Sequence, residues 1–216
     1  MLKLEKLNLG RDLVEDKDKD KDKDKDAKTI ARDLLGKIIS FAGKNYLITV
    51  TEAYPADDYY SYIYRATHNE DGTKKSENEI NKNGKAYKIL TDENMVGEFF
   101  LYGGMLHLAC KANKVESENA RIELDNVLIR GAIKIEDNKL IIDENNVNMN
   151  FGKGKPTDLA KTLKIDDNNL STLRIYDSSL SFTSKEYERI GLKNGKNPDV
   201  KAIKAKYRLL IKEFNY

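Results

Sequence analysis

Read by hydrophobic and polar position, the clearest pattern in the chain is a period of two. Residues 46–54, Tyr-Leu-Ile-Thr-Val-Thr-Glu-Ala-Tyr, are rich in β-branched and aromatic side chains and close at Pro55, which predicts a strand. Simple alternation puts Tyr46, Ile48, Val50, Glu52 and Tyr54 on one face and Leu47, Thr49, Thr51 and Ala53 on the other. A second strand is expected over 126–133, with Leu128 and Arg130 on one side and Val127 and Ile129 on the other. Between them, the apolar runs 99–102 and 105–110 flank Gly103-Gly104, a two-residue hairpin signal that would present Tyr102 and Met105 at its tip. Residues 134–150 read as a further hairpin with 139–142 at its core, and the C-terminal part ends in strand-like pieces.

Helical spacing is confined to two places. Thr29 can cap a helix with Ile30, Leu34, Leu35 and Ile38 on one face and Gly36 loosening its end, and Thr157 can cap another bearing Leu159, Ala160 and Leu163. The segment 57–64 is dense in tyrosine, and 67–85 is polar and punctuated by Gly and Asn, which predicts a long loop.

Composition changes the picture mainly at the start of the chain. Of 216 residues, 34% are charged, and from 15 to 26 the sequence alternates Asp and Lys, which can bury nothing apolar and is expected to stay unfolded. The expected division is therefore an N-terminal segment over 1–28 and one folded domain over 29–216. The single cysteine, Cys110, allows no disulfide within the chain and reads as a small core residue; an intracellular, reducing setting is expected. Residues 1–10 lack an unbroken apolar run, and no stretch approaches ~20 apolar residues, so neither secretion nor membrane spanning is expected. His68 and His107 have no ligand-spaced partners and read as a loop and a sheet histidine, so no metal site and no cofactor are expected.

The net charge of +2 hides an asymmetry. Residues 1–150 carry 24 basic and 28 acidic groups (24 − 28 = −4), and 151–216 carry 14 and 8 (14 − 8 = +6). Seven basic residues in 193–212 face only Asp199, a pattern that suits a polyanion and is also common on solvated helix faces. Gly152-Lys-Gly-Lys155 lacks full phosphate-loop spacing and reads as a backbone-phosphate contact or a solvated turn.

Two charges fall among apolar neighbours, Glu52 and Arg130. An ionised carboxylate beside Ile48 and Val50 is costly unless it is hydrogen-bonded, and functional sites are where such costs persist. The alternative is that strand twist carries Glu52 to the sheet edge, to meet water or an arginine. The tyrosines can stack on a flat ligand or fill a half-buried surface.

With these residues placed, the chain resembles the alkyladenine (3-methyladenine) DNA glycosylase family over residues 29 to about 212. Ala31-Arg-Asp-Leu-Leu-Gly-Lys37 is similar to its opening helix, Val50-Thr-Glu-Ala-Tyr54 to its E-T-E-A-Y, and Val127-Leu-Ile-Arg130 to its V-L-x-R-A strand. Gly154-Lys-Pro-Thr-Asp-Leu159 resembles G-P-G-K-L, and Arg189-Ile-Gly-Leu192 with Tyr207-Arg-Leu-Leu210 resembles R-I-G-I and the terminal W-R-F-Y. Together with the elements above, the resemblance implies an α+β protein: a single mixed domain with a curved, mostly antiparallel sheet, a protruding hairpin and a few flanking helices.

The resemblance implies a monofunctional DNA repair glycosylase that flips alkylated purines out of damaged double-stranded DNA and hydrolyses the N-glycosidic bond, leaving an abasic site. Glu52 would be the general base and Arg130 would hold the water and the carboxylate. Tyr54, Tyr62, Tyr102 and Ala112 would form the base pocket, with Tyr62 standing where the family has a histidine and Ala112 where it has an asparagine. Met105 would wedge into the duplex, or Tyr102 if the hairpin is aligned with a gap. No lysine nucleophile is matched, so strand cleavage is not expected. A monomer at the nucleoid or elsewhere in the cell is implied, and a non-catalytic DNA-binding descendant of the fold is the alternative.

Overall fold

The computed structural model describes residues 26–69, 71–92, 95–115, 121–141, 155–178, 180–189 and 204–215. Helix α1 (Ala27–Leu34) comes first, and its N-cap is Asp26 rather than Thr29. The Asp26 carboxylate accepts the backbone N–H of Thr29 at 2.7 Å, so the last acid of the Lys/Asp run satisfies one of the donors that a helix start leaves unpaired. Ala27, Ile30, Ala31 and Leu34 form the buried stripe. Ile38 is not part of this helix; it opens β1 (Ile38–Phe41). Gly36, at φ +75°, turns the chain between them, and a Cβ there would stand 2.2 Å from the Phe182 ring.

Strand β2 (Lys44–Tyr54) follows as the centre of the sheet. After it come two short helices that hydrophobic periodicity did not reveal, α2 (Tyr62–Thr67) and α3 (Lys85–Thr91), because six or seven residues carry too few apolar repeats to register. The segment expected as a long loop is broken by an isolated bridge between His68 and Lys74 and a 3-10 turn at Glu77–Glu79. The chain then runs through β3 (Phe99–Tyr102), β4 (Met105–Val115), the long β5 (Arg121–Glu136) and β6 (Lys139–Ile141). Gly103 and Gly104 both have positive φ, +57° and +76°, which matches the right-handed twist of a tight two-residue hairpin. Helix α4 (Asp158–Leu163) has Thr157 at its N-cap position without a side-chain capping bond; instead the Asp158 carboxylate accepts the Lys155 N–H at 2.7 Å. Strands β7 (Arg174–Tyr176), β8 (Ser181–Tyr187) and β9 (Arg208–Asn215) complete the described elements.

Among the described residues the nine strands form one curled antiparallel sheet, ordered β3-β4-β5-β2-β1-β7, with β6 beside β5 and the β8–β9 pair joined to β2. The protein is α+β. Helices α1 and α4 cover one face, where Ile30, Leu34, Leu159 and Leu163 pack on Ile48, Ala53, Val127, Ile129 and Ala132. Helices α2 and α3 lie against the other face, where Ile63 and Ile89 meet Phe100, Ala109 and Leu124. Farther along that face a smaller cluster holds Ile38, Leu47, Ile133 and Leu140.

The alternation expected for β2 is broken in its middle. Pairing with β5 shifts by one residue between Ile48 and Val50 and shifts back between Val50 and Thr51, which leaves Thr49 and Arg130 as extra residues on the two strands. Each bulge reverses the faces beyond it. Tyr46 and Ile48 therefore belong to the α1 side with Ala53, while Glu52 and Tyr54 turn to the opposite side.

Candidate active site

Glu52 sits in the central strand with β5 on one side and β9 on the other, in register with Leu128 and Arg208. It is not at a sheet edge, and only 1% of its surface is exposed. The Arg130 guanidinium, 4% exposed, donates from Nη1 to Glu52 Oε1 at 2.8 Å. The Tyr54 hydroxyl donates to Oε2 at 3.1 Å, and Arg208 Nε forms an ion pair with Oε1 at 3.7 Å. Burial pushes the Glu52 carboxyl above the usual carboxylate range; Arg130, the Tyr54 hydroxyl and Arg208 pull against that rise. Burial and the neighbouring Glu52 charge likewise push the Tyr54 phenol upward, so it remains a donor.

Tyr54 is fixed from behind by a second ion pair. Asp58 and Arg189 are both buried and meet in a two-pronged contact, with Arg189 Nη1 on Oδ2 and Nη2 on Oδ1. The guanidinium lies 4.7 Å from the centre of the Tyr54 ring and 5.1 Å from that of Tyr207. Asp58 also accepts the Tyr60 N–H at 3.0 Å, which orders the turn leading into α2. A buried acid in the tyrosine-rich segment thus holds an arginine that in turn backs the tyrosine beside Glu52.

In front of Tyr54 lies a narrow recess, with room for about one water molecule while its walls stay in place, lined by Tyr54, Ser61, Tyr62, Ile63, Phe100, Tyr102, Met105, His107 and Asn126. Its floor follows from the hairpin register: Tyr102 pairs with Met105 and Phe100 with His107, so all four stand on the α2 side of the sheet. Tyr62 is 49% exposed and leans on Tyr102, ring centres 5.4 Å apart. A third ring between them needs about 7 Å, two contacts of about 3.5 Å, so entry of a flat ligand requires Tyr62 and Tyr102 to part. Beside Tyr62, the Arg65 guanidinium lies 5.6–6.0 Å from the rings of Tyr59, Tyr60 and Tyr62. Glu52 is not among the lining residues; the Tyr54 side chain connects it to the recess.

No protein-family model matches the chain, and no curated protein matches it. The chemistry has to be read from the residues themselves.

Of the residues singled out in the sequence, the structure brings Glu52, Arg130 and Tyr54 into direct contact and places Tyr54, Tyr62 and Tyr102 around one recess. Met105 departs from expectation. At 7% exposed it is a buried wall of the recess, because the two-residue turn spends its tip on Gly103 and Gly104 and directs the flanking side chains inward, so Met105 does not protrude as a wedge. Ala112 is paired with Leu124 through the backbone, and its side chain lies outside the described residues, as do 152–154 of the lysine–glycine run. Cys110 is buried in the core. Four participants were not anticipated: Asp58, Arg189 and Arg208 in the ion-pair network, and Asn126 in the recess. His107, read as an ordinary sheet histidine, belongs with them. The Gly-Gly turn was sufficient to find it, since a two-residue hairpin sets His107 opposite Phe100 on the face that carries Tyr102.

The basic C-terminal stretch is also divided by the fold. Arg208 is buried on Glu52 and Lys212 pairs with Glu213 at 3.3 Å, while Lys204 is exposed; 193–203 lie outside the described residues. Among the described residues no group of three His, Cys, Asp or Glu could hold a metal ion, and no helix is long and apolar enough to cross a membrane.

Proposed function

We propose that this protein is a monofunctional DNA glycosylase that accepts an extruded alkylated purine in the aromatic recess and hydrolyses its N-glycosidic bond. The observation that carries the reading is the junction at Tyr54, whose ring lines the recess while its hydroxyl donates to a buried carboxylate held by Arg130. Each part has a task in such a reaction. Tyrosine faces stack on the base, with a cation–π gain of ~0.5–2 kcal/mol when the purine is cationic, and such a base is already a good leaving group. Glu52 then takes a proton from water. A carboxyl raised by burial is a stronger base than an ordinary one, and Arg130 favours its ionised form against that rise.

Incubation with methylated duplex DNA is expected to release methylpurines and leave alkali-labile abasic sites. Glu52→Gln is expected to keep fold and DNA affinity and lose excision by ~10²–10⁴-fold, since an amide cannot accept the proton. Excision should also fall on the acid side at a pH above the ordinary carboxylate range, because the base works only when ionised and its pKa is raised. Release of methylpurine by the Gln variant at the wild-type rate excludes this mechanism.

One observation favours a second reading, a DNA-binding module of the same fold without turnover: Glu52 does not line the recess and is closed in by two arginines. That reading predicts salt-dependent affinity for damaged duplex and no abasic product.

A further inference from the structure

Two polar atoms in the recess have no hydrogen-bond partner among the described residues, His107 Nε2 and Asn126 Nδ2. The residues are 6% and 2% exposed, and both line the recess. Buried polar groups are almost always paired, and one left unpaired costs as much as a lost hydrogen bond, so two in one aromatic recess point to a ligand that completes them. The rest of the pair is built firmly. His107 Nδ1 and Asn126 Oδ1 are 2.9 Å apart across β4 and β5, and the imidazole is stacked on Phe100 with ring centres 5.1 Å apart and planes 11° from parallel.

The hydrogen-bonding character of the two free atoms follows from the contact itself. With Asn126 Oδ1 facing the ring, Nδ1 carries the proton and donates, which leaves Nε2 as an acceptor and the amide N–H as a donor. If the amide is turned over, its N–H donates to Nδ1, leaving Nε2–H as a donor and Oδ1 as an acceptor. Either orientation offers the recess one donor and one acceptor.

We propose that His107 and Asn126 read the edge of the base held in the recess and select bases that present one hydrogen-bond donor and one acceptor, as the amino group and a ring nitrogen of an adenine do. The assignment rests on the recess being the base pocket. Stacking on Tyr54, Tyr62 and Tyr102 accepts any flat ring, so discrimination falls to the groups with direction. A base whose amino nitrogen is closed into a second ring, as in an ethenoadenine, or absent with nothing in its place, as in unsubstituted purine, offers acceptors only on that edge and leaves the donor requirement unmet. Arg65 and the tyrosines at the mouth do not distinguish the two kinds of base; the His107–Asn126 pair does.

The test uses the full chain and two soluble probes, 9-methyladenine and 9-methylpurine, which differ by the amino group alone; the second is the smaller, so weaker binding cannot come from a steric clash. Titration followed by nitrogen-15 NMR of His107 is expected to show 9-methyladenine shifting the Nε2 signal and binding roughly tenfold more tightly than 9-methylpurine, the worth of one hydrogen bond. The double variant His107→Phe, Asn126→Leu, which removes the amino-group acceptor in either orientation, is expected to lose that preference while both probes still bind by stacking. Equal affinity of the two probes for the wild type, or a His107 signal that does not respond to either, overturns the proposal without need of any variant. Glu52→Gln separates the two readings: excision lost with the preference intact is the expected result. A protein that never excises yet keeps the preference removes the glycosylase reading alone, and one that excises without it removes this inference alone.

Discussion

His107 shows how far one buried side chain can tie the molecule to pH. Burial holds the imidazole down to about 4, from an ordinary value near 6.5, so it stays neutral in the folded protein where the unfolded chain takes up a proton. The unfolded state binds more protons between those values, and stability therefore rises with pH across that window and is lost on acidification from about 6.5 to about 4. At about 1.4 kcal/mol per pKa unit the loss attributable to this residue is about 3 kcal/mol. Denaturant melts of wild type and His107→Phe at stepped pH give the check: the difference between the two stability curves should be flat above pH 6.5 and slope below it, and a difference flat throughout would show that the imidazole is not buried neutral. Glu52 and Arg130 were legible in the sequence because a charge among β-branched neighbours stands out. Asn126 and Asp58 were not, since a polar residue at a strand end or in a tyrosine-rich turn looks like ordinary surface until its partner is known. Arg208 could not be assigned either, because nothing local states that its strand will lie beside β2.

Elements show a different balance. The long strands and the Gly-Gly hairpin were visible because each repeats its pattern several times, whereas α2 and α3 are too short to repeat theirs. The two facing bulges are invisible to alternation, and they matter most: without them Tyr46, Ile48 and Glu52 would share a face, and the carboxylate would lie under α1 instead of beside Tyr54 and Arg130. The start of α1 carries a testable boundary. Removing residues 15–25 while keeping Asp26 should leave the melting temperature almost unchanged, since that alternation has nothing to pack. Replacing Asp26 by Ala should cost about 1 kcal/mol, a fall of about 2–4 °C in a protein of this size, because the Thr29 N–H loses its acceptor. Thermal melts of the two variants that came out the other way round would place the boundary of the folded domain upstream of the cap.

At the scale of the whole molecule, the site is assembled from parts far apart in the chain: Arg130 reaches Glu52 across 78 residues, and Arg189 reaches Asp58 across 131. Motifs could pick out stretches that hold several of the contributors, but the register that joins them is a property of the closed sheet. The same closure has a kinetic side. One flank of β2 is covered by two strands of very different origin, β1 at Lys44–Leu47 through a local hairpin, and β9 at Val50–Glu52 from near the C-terminus. Loop closure costs only about 0.6 kcal/mol for each doubling of length, so the finished fold tolerates the long connection, but pairings this remote form late. Until β9 arrives, the backbone of Val50–Glu52 is an open edge on a strand that the finished fold buries almost throughout, which is a template for a second unfinished chain. Refolding from denaturant should therefore lose yield to aggregation as protein concentration rises, while the native protein, with that edge occupied, stays dispersed at the same concentrations. Light scattering during dilution refolding measures it, and a yield that does not vary with concentration would mean that β9 is in place before β2 is ever exposed.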